Sequence, residues 1–300
     1  MALSIYPSVY YQTADGNEIP ISTPSTKKYW EVYGREGFGV PELKTETRIY
    51  ADGSVRTLTA IIQPREMLLN MILVGETTEE RDNLYRDISS HLVQVGSTDE
   101  WGRLRLRRSD GNWIFINCLY TGGMDTPDNL PTIRQFSMEF FADDPYFYDA
   151  EETVFQPKQL SQLIYLNDNL FLGDWTLKGG LTDLQIHNTG ELCFPVIEVT
   201  GPASVIRIKN ETTKQTLAMA TDFSLAMGEV LLIDCREHQQ RGITLRDSTG
   251  REQDITNKLG LGSSLNWPLV KGTNVISLYY TDSAQTSSYR LRFRKRYYSA

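Results

Sequence analysis

The residues able to carry chemistry are few in this chain, and their spacing brings none of them together. His91, His187 and His238 stand far apart, with no second ligand or base at helical or strand spacing. Each is expected to be a structural or surface imidazole. Cys118, Cys193 and Cys235 are too few and too scattered for a zinc site or a disulfide framework. Asp125, Asp128 and the adjacent Asp143 and Asp144 could offer oxygens to calcium. They lack the ligand spacing of a known loop, so turn chemistry is the expectation. Gly37-Phe-Gly39 and Gly260-Leu-Gly262 lack the third glycine and the strand–helix setting of a dinucleotide loop. Neither a Gly-x-Ser-x-Gly elbow, a phosphate loop nor a zinc helix motif occurs. Asn210-Glu-Thr212 fits a glycan acceptor, which has meaning only in a secreted protein. Two carboxylates across a cleft could hydrolyse a glycosidic bond, yet nothing singles out a pair. The expectation is no catalytic residue, no metal and no cofactor, hence a protein that is not an enzyme.

Two features point instead to contact. Trp175 and Trp267 sit in loop-like surroundings, where an indole could stack on a sugar. The competing reading is an aromatic that closes the end of a sandwich. Near the C-terminus Arg290, Arg292, Arg294 and Arg296 share one strand face, and Leu291, Phe293 and Lys295 share the other. Such a strand either guards a sheet edge or docks on an acidic neighbouring subunit.

The elements that must position these residues are mostly strands. Sixteen Tyr and eleven Phe favour β-structure. A length of 300 residues suggests two domains, each able to bury a core. Asp52-Gly53 is a hairpin signal between Thr45–Tyr50 and Val55–Ile62. Met67–Val74 reads as a buried strand. Thr77 and Glu80 form a capping box before Leu84, Ile88 and Leu92 at helical spacing. Trp101–Arg107 alternates, with Arg103, Arg105 and Arg107 on one face and Leu104 and Leu106 on the other. Ser109-Asp-Gly-Asn112, containing Asp110 and Gly111, turns the chain into Trp113–Tyr120. Ile133–Phe141 alternates again, with Phe136, Met138 and Phe140 on one side. The second half holds short β-rich runs between Gly, Asn and Asp turns and no defensible helix, the pattern of a sandwich.

Between the halves lies Glu139-Phe-Phe-Ala-Asp-Asp-Pro-Tyr-Phe-Tyr148. Pro145 removes a backbone donor and pushes Asp144 toward extended geometry, so a strand arriving here stops or turns. Phe140, Phe141, Asp143, Asp144, Pro145 and Tyr146 are expected to form a packed inter-domain junction. Nearly all of the net charge of −8 lies in residues 1–145, where 21 acidic residues outnumber 14 basic ones. Such a domain repels nucleic acid. The odd cysteine count, with no basic leader and no apolar bilayer-length window, points to synthesis in a reducing compartment.

The run Phe140-Phe-Ala-Asp-Asp-Pro-Tyr-Phe-Tyr148 resembles the inter-domain segment of the distal tail (Dit) proteins of long-tailed bacteriophages. The order downstream resembles theirs too. Asn188-Thr-Gly190 precedes Pro195-Val-Ile-Glu-Val-Thr-Gly201, then Ile206-Arg-Ile-Lys-Asn210, Gly228-Glu-Val-Leu-Leu-Ile-Asp234, Trp267-Pro-Leu and Lys271-Gly-Thr-Asn274. The first half matches in pattern alone.

The resemblance implies a mainly β protein with two domains: residues 1–143, a tail-tube-like sheet domain with one packed helix, and residues 144–300, a galectin-like or carbohydrate-module-like sandwich. It implies a structural virion protein of the tail tip, made in the host cytoplasm. Copies would form a ring, hexameric in the family, joining the tail tube protein to tip proteins and receptor-binding proteins. The second half has no room for an extra sugar-binding insert, which favours a plain adapter. On this reading Asp52 and Gly53, or Asp110 and Gly111, are the tips of ring-contact hairpins, and the acidic first domain lines a channel that DNA crosses without sticking. The alternative is a carbohydrate-binding module for host surface polysaccharide. A glycan or peptidoglycan hydrolase ranks below both.

Overall fold

The computed structural model describes residues 8–22, 30–50, 52, 54–92, 101–124, 130–156, 179–237, 241–281 and 287–300. The chain divides into two compact units, Met1–Ala150 with Tyr297–Ala300, and Glu151–Arg296. The division falls beyond the expected 143/144 boundary, and the return of the last four residues to the first unit has no counterpart in the sequence reading.

The first unit contains β1 (Val9–Gln12), β2 (Glu18–Ser22), β3 (Trp30–Glu36), β4 (Leu43–Ile49), β5 (Val55–Ile62) and β6 (Arg65–Val74). Helix α1 (Thr78–Leu92), β7 (Gly102–Arg107), β8 (Trp113–Gly123), β9 (Ile133–Ala142) and β10 (Phe147–Asp149) follow. One sheet runs β2-β1-β7-β8-β9-β6-β3, with β10 joined to β8. Its two end strands, β2 and β3, come into contact, so the sheet curls toward closure and hides its own edges. The alternation of the sequence is realised. Leu104, Leu106, Ile114, Ile116, Phe136, Met138 and Phe140 are buried together with Met67, Leu69, Met71 and Leu73 of β6. Burying each such side chain stabilises by roughly 1.5–3 kcal/mol.

Helix α1 adds Ile88 and Leu92 to that core. The Thr77 hydroxyl accepts the Glu80 N–H at 3.1 Å, as a capping box requires. The Glu80 carboxylate reaches one residue further back than the motif predicts, to the Glu76 N–H at 3.0 Å. Buried Arg81 binds the helix to the chain before β9 through the Leu130 and Pro131 carbonyls.

The second unit contains β11 (Thr153–Phe155), β12 (Gly179–Asn188), β13 (Val196–Thr200), β14 (Ala203–Asn210), β15 (Gln215–Ala218) and β16 (Ser224–Leu225). Next come β17 (Val230–Asp234), β18 (Gly242–Arg246), β19 (Glu252–Asp254), β20 (Gly272–Thr281) and β21 (Ser288–Phe293). A short β22 (Arg296–Tyr297) spans the return to the first unit. One sheet runs β11-β21-β13-β17-β18-β19, and the other runs β12-β20-β14-β15 with β16 beside β14. Ile197, Leu231, Ile233 and Leu291 of the first sheet share one core with Ile186, Ile206, Ile208 and Ile276 of the second. This is the expected β-sandwich.

Candidate functional site

The segment that the sequence marked as the junction is built into the first unit around a residue that sequence reading missed, Arg65. Its side chain is 4% exposed at the start of β6. The guanidinium donates from Nε and Nη2 to the Pro145 carbonyl at 3.1 and 2.9 Å. Nη2 also donates to the Tyr298 carbonyl at 2.7 Å. Nη1 donates to the carbonyls of Gly37 and, at 2.7 Å, Gly39. All five N–H donors of the fork are thus used on backbone. The Phe147 ring lies 4.9 Å beneath the cation. Burial draws the guanidinium down to about 10, still charged at neutral pH. Gly37-Phe-Gly39, which could not be a dinucleotide loop, is half of this cradle. Gly37 has φ +78, and a Cβ there would meet the Glu66 carbonyl at 1.9 Å, so no other residue fits.

The remaining junction residues complete the cluster. Phe140 is buried against Tyr11 and Tyr120 at 5.4 and 5.8 Å, and Phe141 lies 6.4 Å from Trp101. The Asp143 carboxylate accepts the Asp144 N–H at 2.6 Å. Asp144 accepts the Tyr146 N–H at 3.3 Å and the Tyr148 hydroxyl at 2.5 Å. One of its oxygens thus serves a turn and the other a tyrosine hydroxyl. Tyr146 packs on Tyr298 at 5.4 Å.

Strands β4 and β5 are different in kind. Among the described residues they pair only with each other, from Leu43↔Ile62 to Ile49↔Val55, outside the curled sheet. Every residue of β4 is exposed, including Leu43 at 59% and Ile49 at 74%. Beside them Val40 is 74% and Ile61 53% exposed. A two-stranded ribbon with no core of its own is marginal in water. At its tip Asp52 accepts the Ser54 N–H at 2.9 Å; Gly53 lies outside the described residues. The β7–β8 turn forms as expected. Asp110 accepts the Asn112 N–H at 2.9 Å and Gly111 has φ +88.

In the second unit the sugar-stacking reading of Trp267 is corrected. Its ring is 0% exposed and belongs to the core, and its indole N–H donates to the Gln215 carbonyl at 3.2 Å. Three fully buried asparagines hold the segment around it. Asn210 donates to the Pro268 carbonyl at 2.9 Å and Asn188 to the Leu269 carbonyl at 3.3 Å. Asn274 accepts the Val270 N–H at 2.9 Å and donates to the Val270 carbonyl at 2.7 Å. Burial also removes Asn210 as a glycan acceptor. Trp175, Asp125, Asp128 and His238 lie outside the described residues.

The C-terminal arginines are corrected too. Strand β21 is flanked by β11 and β13 and so does not form an edge. Arg290 and Arg292 approach Glu198 at 3.8 and 3.3 Å, and Arg292 and Arg294 approach Glu152 at 3.5 and 3.6 Å. Arg296 turns inward to Glu237 at 3.1 Å and to the Phe194 ring. The acidic partners that the arginine face needs are on the same chain. His91 bonds the Asp87 carbonyl at 2.7 Å and His187 lies 3.4 Å from Thr273, both without a nearby ligand set. Among the described residues no group of three His, Cys, Asp or Glu could hold a metal.

No family model matches the chain, and no curated protein matches it by sequence. Solved structures do match. The Dit protein of phage SPP1, described as a paradigm of the hub adsorption apparatus in phages infecting Gram-positive hosts, is similar over 96% of this chain and 99% of its own. The TM-score is 0.58 and the identity 15%. A chain of the phage P2 baseplate in its activated conformation is similar over 99% of this chain and 100% of its own, with a TM-score of 0.51 and 10% identity. The chain therefore has the fold of a phage Dit protein across both units.

Proposed function

We propose that this chain is a structural subunit of a bacteriophage tail tip. Copies close into a ring, hexameric on the family pattern, that joins the tail tube to the tip proteins and the receptor-binding apparatus. The observation that carries the proposal is the end-to-end likeness to a protein described as an adsorption hub, with almost no residue of either chain left over. In this role the protein works by shape and makes no bonds. It is synthesised in the host cytoplasm and ends in the virion.

The β4–β5 ribbon supports the ring. The curled sheet of the first unit hides its edges, whereas the ribbon carries exposed Leu43 and Ile49 on one face and, among the described residues, pairs with no third strand. A ribbon laid on the next copy makes a heterologous contact, and a repeated heterologous contact closes into a cycle. Asp52 and Gly53 are its tip; Asp110 and Gly111 mark a second exposed turn that could share the contact. The acidic balance of residues 1–145 suits a channel for DNA.

Light scattering and negative-stain images of the purified protein test this. The expected outcome is an annulus with a central hole, and single particles once residues 43–62 are replaced by a short turn. A protein that stays monomeric at high concentration and within its native assembly sinks the ring. Submillimolar binding to host wall polysaccharide by such a monomer would favour the carbohydrate-module reading, which has lost the support of Trp267.

A further inference from the structure

The solvent side of β7 and β8 is unlike the rest of the first unit. Arg103, Arg105 and Arg107 alternate with buried Leu104 and Leu106, so three guanidiniums leave the sheet on one face, and Arg108 follows. Each is held against something flat or polar. Arg103 lies 5.0 Å over Phe115 and donates to Asn117 Oδ1 at 3.2 Å. Arg105 lies 5.4 Å over Trp113 and pairs with Glu18. Arg107 donates to the Gly111 carbonyl at 3.4 Å, and Arg108 sits 5.0 Å over Tyr297. Tyr10 meets Trp113 edge-on at 5.5 Å, and Tyr148 stacks on Phe115 at 5.8 Å. Arginines braced on aromatic rings have already lost much of the rotamer freedom that docking removes. Arginine with Tyr, Trp and Phe is also the composition that marks contact surfaces.

The complementary charge is on the same unit. Helix α1 turns Ile88 and Leu92 to the core. Its other side presents Glu79, Glu80 and Asp87, which with Asn83 and Leu84 line an open cavity of about 550 Å³, and Glu76 is exposed just before it. Arg86 and His91 are the basic residues exposed on that side, His91 lying 3.8 Å from the Asp87 carboxylate. Because β7 and α1 give their apolar sides to one core, their charged sides face away from it on separate elements. One copy can present both at once.

We propose that the arginine face of β7 docks on the acidic face of α1 in a neighbouring copy of this chain. The inference rests on the ring reading and deepens it by naming the two faces. The contact is head-to-tail, the kind that closes a ring. Docking also covers the three arginines of β7, which, left open, would attract phosphates by counterion release. A sheet face with arginines and rings could alternatively bind a single strand of nucleic acid. The net acidity of the unit favours the protein partner, because it supplies the opposite charge and repels the polyanion.

Charge exchange tests this. One variant carries Arg103→Glu and Arg107→Glu; the other carries Glu79→Lys and Asp87→Lys. Both change exposed side chains, and circular dichroism checks that each is folded. Each alone should need at least tenfold more protein than the wild type to form annuli at physiological salt. Their equimolar mixture should restore annuli, since alternating copies again oppose unlike charges. Normal assembly of either variant beside an assembling wild type overturns the inference and leaves the ring standing; so does a mixture that fails. A wild type that forms no annulus removes the ring reading and this inference together. Binding of a labelled oligonucleotide by the wild type, lost in the Arg103→Glu/Arg107→Glu variant with assembly intact, assigns the face to nucleic acid instead.

Discussion

Arg65 in the first unit and Asn188, Asn210 and Asn274 in the second meet the same need with opposite chemistry. Each satisfies backbone groups that no sheet ladder reaches. A guanidinium can only donate, so Arg65 collects carbonyls from three distant stretches, at Gly37 and Gly39, Pro145 and Tyr298. A carboxamide both donates and accepts, so Asn274 closes on the N–H and the carbonyl of Val270 and on the carbonyl of Gly272, two residues away. The first solution gathers remote segments at the cost of burying a charge. The second pins one short stretch with no charge at all. The units therefore differ in how their irregular backbone fails when a single side chain is removed.

Replacing Arg65 should show this most strongly. Arg65→Met leaves carbonyls at four residues without donors, and we expect a loss of roughly 3–5 kcal/mol in urea denaturation. Arg65→Lys keeps the charge but lacks the planar fork, and should still cost more than about 1.5 kcal/mol. A lysine variant as stable as the wild type would mean that charge alone holds the junction. Asn274→Leu should be milder, roughly 1–3 kcal/mol, since it removes the partner of one N–H and two carbonyls within a single short stretch; a cost equal to that of Arg65→Met would erase the distinction drawn here. Arg290→Ala is the control for arginine in general. Half-exposed and 3.8 Å from Glu198, it should cost under about 1 kcal/mol. The smallest effect is chemical. Burial pushes the thiols of Cys118, Cys193 and Cys235 up to about 12, so both units should resist a thiol reagent at pH 8 and react fully once unfolded. The stability gained by keeping those thiols neutral is full below pH 9 and is lost as the pH rises through 12. Rapid labelling of Cys118 alone would expose the first unit as the looser one.

Strand faces were legible because their signal is local. The period of two in Trp101–Arg107 and Ile133–Phe141 names the buried side without knowledge of any partner, and the spacing of Leu84, Ile88 and Leu92 does the same for the helix. Trp267 was not legible. It lies among Gly, Ser, Asn and Pro residues that look like surface loop, yet its ring belongs to the core, and the carbonyls of the two residues after it are held by asparagines 58 and 81 residues away. The motifs that carry the family resemblance, Asn188-Thr-Gly190, Asn210, Trp267-Pro-Leu and Lys271-Gly-Thr-Asn274, meet in that clamp. Their order was readable as a likeness; its physical reason is a set of contacts that no spacing displays. Arg65 was hidden for a related cause, because backbone carbonyls carry no residue type for a reader to notice. The interior place of β21 was hidden by the shortness of its outer neighbour, the three-residue β11.

The Arg65–Tyr298 bond spans 233 residues. A ribosome adding about 5–20 residues per second delivers the guanidinium roughly ten to fifty seconds before that carbonyl exists. During that interval the first unit lacks its final acceptor while the whole second unit, threaded between the two, emerges and can fold. Synthesis thus imposes a schedule in which the inserted sandwich matures early and its host is sealed last.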